Sequence, residues 1–177
     1  MNIASHNQQR LPINYSFATK NHGINNVQTQ HSAQLGSKLC MAILRNDNAE
    51  VKELIRQGAT IDYQDEPDGW TPLLYSIYYE NFHARETLFS LGADIELTDF
   101  ANHTALMFAA ITGNAELLKE LLQRGANIDK TDCQGKTVLD FAKEYQQDEC
   151  IQILQNFIEI KKNNVTNRII SSIKKHL

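Results

Sequence analysis

Residues 104–129 read TALMFAAITGNAELLKELLQRGANID, and this segment predicts two short helices joined by a turn. Thr104 can cap the first helix through its hydroxyl, and Asn114 can cap the second through its amide oxygen. Gly113 and Gly125 stand where the two helices must end, because glycine tolerates the left-handed conformation common at helix C-termini. The leucines of the second helix form an apolar stripe that one helical hairpin cannot bury. The segment therefore needs similar segments packed beside it.

Similar segments occur on both sides at an almost constant spacing. Each has a Ser or Thr at its start, and in units one to three a glycine follows 21 residues later. The pairs are Ser37 and Gly58 in unit one, Thr71 and Gly92 in unit two, and Thr104 and Gly125 in unit three, while Thr137 opens unit four. The successive starts lie 34, 33 and 33 residues apart. This period is typical of a helical repeat protein.

Two motifs recur with this period: a Thr-Pro-Leu helix start, complete at residues 71–73, and a Gly-Ala-Asx-Ile helix end at residues 92–95 and 125–128. With them, the chain resembles the ankyrin-repeat family over residues 35–157. The resemblance implies an all-α solenoid of helix-turn-helix units with projecting β-hairpin loops. It also implies a non-catalytic scaffold that binds other proteins.

The end units and unit two depart from the regular pattern. Unit one carries polar residues in place of Thr-Pro, and unit four lacks both the proline and the final Gly-Ala, so both are predicted to be caps. In unit two Glu80 replaces the glycine, so we expect Asn81 to take the left-handed or capping role. The preceding loop is one residue longer and contains Asp65, Glu66 and Asp68. This loop is expected to project furthest.

Composition and charge divide the chain into three parts. The chain has 177 residues, 42% of them hydrophobic, as in soluble globular proteins. Residues 1–34 are polar and without apolar periodicity, which predicts a disordered N-terminal segment with a net charge of +2. Residues 35–157 carry −10, and this acidity argues against binding of a nucleic-acid backbone by the repeats. Residues 158–177 form a basic C-terminal tail with a net charge of +4.

The C-terminal tail has an apolar residue at every fourth position. Val165, Ile169, Ile173 and Leu177 therefore share one face of a predicted amphipathic helix. This helix could pack on the last repeat, lie on an anionic membrane, or bind a partner. The repeats contain no apolar run long enough to cross a bilayer, and the N-terminus lacks the apolar core of a signal peptide. We expect a cytoplasmic protein that is monomeric when free.

No motif in the sequence indicates catalysis. We find no nucleophile–base pair, no metal-ligand spacing and no phosphate-binding glycine loop, so no catalytic residue, metal or cofactor is predicted. The acids of the long loop do not match a calcium-binding pattern. Cys40, Cys133 and Cys150 are odd in number and form no Cys-x-x-Cys pair, which predicts reduced thiols.

The resemblance implies that partners bind the concave face, which is lined by the loop tips, the residues just before each Thr and the ends of the first helices. The residues at these positions are Glu66, Asp68, Trp70, Tyr78, Tyr79, Phe100, Ala101, His103, Ile111, Thr112, Cys133, Gln134, Lys136 and Tyr145. The set is aromatic in its centre and acidic at one edge, which favours a protein partner with basic and apolar groups. Alternatively, Trp70 and Phe100 stack within the loops and the tyrosines only cover the inner helices.

Two other functions are open at this point. The basic tail could make the functional contact with a membrane or nucleic acid, with the repeats serving as an adaptor. The many Asn, Ile and Lys residues, around a short solenoid, are also similar to ankyrin effectors that intracellular bacteria deliver into the cytosol of host cells.

Overall fold

A computed structural model describes the backbone of residues 27–174 and the side chains of residues 31–164. The described helices are α1 (Val27–Leu44), α2 (Asn48–Arg56), α3 (Pro72–Tyr78), α4 (Phe82–Ser90), α5 (Ala105–Ile111), α6 (Ala115–Gln123), α7 (Val138–Glu144) and α8 (Asp148–Lys174). Each predicted unit contributes one consecutive pair, so the all-α prediction is confirmed. Within these residues the β structure is limited to a single antiparallel bridge between Thr131 and Thr137.

The helices form two layers. In the inner layer α1 packs on α3, α3 on α5, and α5 on α7. In the outer layer α2 packs on α4 and α6 on α8. Unit three lies between neighbours on both sides, and every residue of α5 is buried, including Phe108 at its centre. Its alanines let the adjacent inner helices approach closely, because a short side chain fills little of the space between two helix axes.

The predicted helix caps are present. Thr71, Thr104 and Thr137 each accept the backbone N–H three residues further on, and Asn114 caps α6 in the same way. Such caps satisfy N–H groups that have no partner inside the helix.

At the turn of unit two, Glu80 takes the left-handed conformation and Asn81 caps the following helix. Glu80 adopts the left-handed conformation with φ of 55°, at the position of Gly113, and Asn81 caps α4. The Asn81 amide also donates to the carbonyl of Ile43 at 3.2 Å, which joins units one and two. Gly113 has a φ of 70°, a left-handed conformation that glycine adopts without strain.

An aspartate organises each loop between units. Asp99 Oδ1 accepts the N–H groups of Ala101 and His103, and Asp132 Oδ1 accepts those of Gln134 and Lys136. In the longer loop of unit two, Asp65 Oδ1 accepts the N–H of Trp70 at 2.7 Å. The predicted β-hairpins are therefore tight loops held by carboxylates, with almost no strand structure.

The turns after the outer helices are linked to one another by acidic side chains. Asp62 accepts the N–H of Asp94 at 3.0 Å, and Glu96 accepts the N–H of Asn127 at 2.8 Å. Each acid belongs to one unit and each N–H to the next. This series links the turn of each unit to the turn of the next unit.

Unit four ends the series differently, because α8 continues as a helix where a fourth turn would begin. Asp129, the equivalent of Glu96, forms an ion pair with Lys161 of α8. The tail predicted as a separate segment from residue 158 is thus continuous with the last repeat. Its predicted apolar face from Val165 onward lies outside the side chains described. Between α8 and the last turn lies a cavity of about 560 Å³, lined chiefly by Leu122, Ile128, Phe157 and Ile160.

The N-terminal boundary also needs correction. Residues 27–34, predicted to be disordered, form the first turns of α1. The helix is held by burial of Leu35 and by the ring of Tyr63, which packs so closely on Gly36 that no larger residue would fit. Polar residues are compatible with a helix that is anchored further along its length. Residues 1–26 lie outside the described part.

The cap of α7 yields a test with a pH dependence. Asp140 accepts hydrogen bonds from the hydroxyl and N–H of Thr137, and these bonds lower the pKa of its carboxyl. We expect Thr137→Ala to reduce the free energy of unfolding by about 1 kcal/mol at neutral pH. The carboxylate's part of this loss is present above the unfolded-state pKa and disappears as pH falls through the lowered folded-state pKa.

Thr104→Ala is the matched control, because Met107 stands at the position of Asp140 and α5 therefore has a cap without a carboxylate. Urea unfolding at neutral and acidic pH measures both losses. An equal pH dependence in the two variants would contradict the role of Asp140.

Candidate functional site

An aromatic cluster lies where the long loop meets α3 and α5. The ring centroid of Trp70 is 5.2 Å from Tyr75, 5.1 Å from Tyr78 and 4.9 Å from Phe108, mostly in edge-to-face contact. Asp65 holds the backbone of Trp70 and also accepts the hydroxyl hydrogen of Tyr75. Trp70 is half-buried and packs between units two and three. It therefore supports the exposed residues around it and contributes little surface of its own.

Tyr79 is the exposed edge of this cluster. It follows the last residue of α3 and is 41% exposed. Its ring stacks on Tyr75 with centroids 6.1 Å apart and meets Tyr78 edge-on at 5.3 Å. These contacts hold the tyrosine ring in place before any partner arrives.

Tyr79, Thr112 and Tyr145 occupy equivalent positions, 33 residues apart, at the ends of α3, α5 and α7. Because these helices pack side by side, the three residues form a row across units two to four, here called the inner-face row. The Thr112 hydroxyl donates to the carbonyl of Phe108 at 3.0 Å. The row therefore has a short, internally bonded side chain between two tyrosines.

The C-terminal end of the inner-face row combines a half-buried phenol with an ion pair. Burial raises the pKa of Tyr145, and the Glu144 carboxylate acts in the same direction. Glu144 accepts a hydrogen bond from Lys136 at 2.6 Å, which raises the pKa of this lysine. Lys136 was predicted to bind a partner, but its charge already pairs with Glu144 of the same chain.

The loop tips form a connected platform beside the row. The N–H of Phe100 donates to the carbonyl of Asp68 at 2.9 Å, and the N–H of Cys133 donates to that of Ala101 at the same distance. The Phe100 ring is exposed and lies over Gly69, where any larger residue would collide with it. The side chains of Glu66 and Gln134 are exposed on this platform.

His103 is the clearest correction among the predicted binding residues. It is only 5% exposed, with Nδ1 2.8 Å from Asp99 Oδ2 and Nε2 3.8 Å from Asp132 Oδ2. Its ring also meets Phe108 and Phe141 edge-on. The His103 side chain therefore lies between the carboxylate of its own loop and that of the next loop. Ala101 and Ile111, also predicted on the surface, are buried as well.

The loop aspartates are the residues whose importance the sequence analysis missed. Asp65, Asp99 and Asp132 recur at spacings of 34 and 33, the same as the repeat. That recurrence is a signal for a structural role, because a carboxylate can accept several N–H groups of the turn that follows it. At least one acid of the long loop, Asp65, therefore has a structural role, because it accepts the N–H of Trp70.

The described residues contain no group of three or more His, Cys, Asp or Glu side chains arranged to hold a metal ion. No helix in residues 27–174 is long and apolar enough to cross a bilayer. Burial raises the pKa of Cys40 to about 12 and also raises that of Cys150, whereas Cys133 is exposed on the platform.

Comparison with known proteins bears directly on this architecture. A family model described as ankyrin repeats (3 copies) matches residues 1–99 and 92–164. The chain belongs to the ankyrin-repeat family. Ankyrin repeats generally mediate protein–protein interaction and are generally not catalytic.

The curated relatives are much longer than this chain. Inversin from dog and inversin from human are each 29% identical over 126 residues, which are 71% of this chain and 12% of inversin. The human 2-5A-dependent ribonuclease is 33% identical over 79 residues, 45% of this chain and 11% of that protein. The chain thus matches only a small part of each relative.

The aromatic cluster predicts losses of stability of different size for substitutions of Trp70 and Tyr79. Trp70→Ala should lower the free energy of unfolding by about 3 kcal/mol, because it removes packing between units two and three. Tyr79→Ala should lower it by less than about 1 kcal/mol, because this side chain is already partly in water. Chemical denaturation monitored by circular dichroism measures both. A larger loss for Tyr79→Ala would place that residue in the core.

The thiols provide a test of burial. An alkylating reagent should label Cys133 in the folded protein, and Cys40 and Cys150 only after unfolding, because buried thiols with a raised pKa are poor nucleophiles. Peptide mass spectrometry locates the label. Rapid labelling of Cys40 under native, mildly alkaline conditions would contradict the packing of α1 on α3.

Proposed function

We propose that this chain is a non-catalytic module that binds a protein partner through the inner-face row and the loop platform. The observation that carries the proposal is the exposed Tyr79 ring, which is supported from beneath by the aromatic cluster. Tyrosine provides a large apolar area together with a polar hydroxyl, which is why it is frequent among residues that dominate binding energy.

Pre-organisation strengthens this role for Tyr79. A side chain that is fixed before binding loses little conformational entropy when the partner arrives. Stacking on Tyr75 and Tyr78 restricts Tyr79 in this way, and packing of Trp70 on Phe108 restricts the tyrosines in turn. The affinity of the inner face would then depend on the packing beneath it as well as on its exposed atoms.

The shape and charge of the inner face indicate the partner's chemistry. Thr112 is shorter than the flanking Tyr79 and Tyr145, so an apolar partner side chain fits between the two rings. Glu66 and Glu80 are exposed and form no ion pair with any described residue. A Lys or Arg next to the apolar side chain would complement them, which favours a partner surface that is both basic and apolar.

The roles predicted for the basic tail, contact with a membrane or nucleic acid, stay predictions. So does the resemblance to bacterial effectors. In the described structure α8 carries the backbone of the tail as far as Lys174, and Lys161 pairs with Asp129.

The experiment compares Tyr79→Ala with the unchanged protein. After a partner has been captured and purified, we expect Tyr79→Ala to weaken binding by about 2 kcal/mol in isothermal calorimetry, with little change in stability. Leu91→Ala is the matched control, because Leu91 is similarly exposed but follows the outer helix α4. Equal losses in both variants, or a loss only in Leu91→Ala, would refute binding by the inner face.

A further inference from the structure

The outer helix of unit two exchanges polar and apolar positions relative to the other units. Arg85 of α4 is only 8% exposed, whereas Phe82, one turn earlier, is 57% exposed. The equivalents of Arg85 in units one, three and four are Val51, Leu118 and Ile151, and those of Phe82 are Asn48, Ala115 and Asp148. Unit two therefore places a cation where the others have an aliphatic side chain, and a large ring where the others have small or polar groups.

The guanidinium of Arg85 has unfilled hydrogen-bonding capacity. Its Nε is buried and has no hydrogen-bond partner among the described residues. The nearest carboxylate oxygen, Oε1 of Glu86, is 3.8 Å from Nε, which is too far for a hydrogen bond. The guanidinium carbon lies 5.1 Å from the centroid of the Phe82 ring, so the charged group sits beside the exposed aromatic.

This arrangement is costly for an isolated protein. The Nε–H of Arg85 has lost its water without gaining an equivalent hydrogen bond. Glu86 compensates little, because its side chain is 43% exposed and its Oε1 is too far from Nε for a hydrogen bond. An aliphatic residue at position 85 would remove the cost, as it does in the other three units. The Arg85 guanidinium lies beside the exposed Phe82 ring. One bound group could therefore accept a hydrogen bond from the arginine and also cover the ring.

We propose that Arg85 and Phe82 form a second protein-binding site, on the outer layer of helices and separate from the inner face. Its ligand is a segment with one carboxylate beside an apolar side chain. The carboxylate accepts hydrogen bonds from the Arg85 guanidinium, whose planar donors match its two oxygens. The apolar side chain packs on the Phe82 ring and removes it from water.

The charges around Arg85 favour a carboxylate over a phosphate. One guanidinium neutralises one negative charge, and Glu86 already lies 3.8 Å from it. The repeat region carries a net charge of −10, so a dianion would retain an uncompensated charge in an acidic surrounding. A single Asp or Glu between apolar residues fits better than a run of acids, for the same reason.

The test uses the whole chain and two synthetic peptides. One is the acetylated, amidated peptide Gly-Leu-Asp-Leu-Gly, and the other has Asn in place of Asp. We expect the Asp peptide to shift the side-chain Nε–H resonance of Arg85 in a saturable NMR titration, and the Asn peptide to bind at least about ten-fold more weakly. Equal binding of the two peptides would overturn the proposal, and so would a stronger response to inorganic phosphate.

Variants separate a binding role from a structural one. Arg85→Leu should abolish the preference for the Asp peptide, measured through the backbone resonances of α4, and raise the melting temperature by about 3 °C. Phe82→Ala should weaken binding of both peptides. Arg56→Leu is the control, because Arg56 is an exposed cation on the adjacent outer helix α2. If Arg85→Leu lowers the melting temperature and leaves the Asp preference intact, Arg85 is structural and the proposal fails.

Discussion

Each helical pair in this chain can bury its apolar side chains only against the next pair, and this nearest-neighbour burial is the constraint on which the structure depends. Unit three shows the result most clearly, since all seven residues of α5 are buried between the inner helices on its two sides. The end units have a neighbour on one side only. Unit one therefore carries more polar residues. In unit four the helix α8 continues in place of a turn, and its Lys161 pairs with Asp129.

Polar side chains hold the loops between the stacked units and so define the shape of the surface. Carboxylates shape the loops, with Asp99 and Asp132 each accepting two N–H groups and together enclosing His103. Consecutive loops are also joined, since the N–H of Phe100 donates to Asp68 and the N–H of Cys133 donates to Ala101. Asp65 holds the backbone of Trp70, whose ring packs on Tyr75 and Tyr78. The proposed inner-face site is thus rigid for reasons that lie in the core and the loops.

Unit two is where the local rules are broken most often. It has a left-handed glutamate, the longest loop, the aromatic cluster and an outer helix with a buried arginine and an exposed phenylalanine. Departures from a consistent local pattern cost stability, and they are expected where a protein serves a purpose other than folding. The proposed outer site belongs to this unit, and the proposed inner-face site begins in it with Tyr79 and continues across units three and four. The regular unit three holds them in position but contributes few exposed groups of its own.

The fold could be predicted from the sequence, because helix caps, glycine stops and the spacing of leucines are local signals that repeat with a fixed period. The sequence also determined which residues end the inner helices, so Tyr79, Thr112 and Tyr145 could be placed in one row by counting. Only the tertiary structure decided which of the predicted residues face solvent. His103 and Tyr79 are both adjacent to helix ends in the sequence, but one is enclosed by the next loop and the other is not. The exposure of a side chain depends on the neighbouring unit, as the enclosure of His103 by Asp132 of the next loop shows.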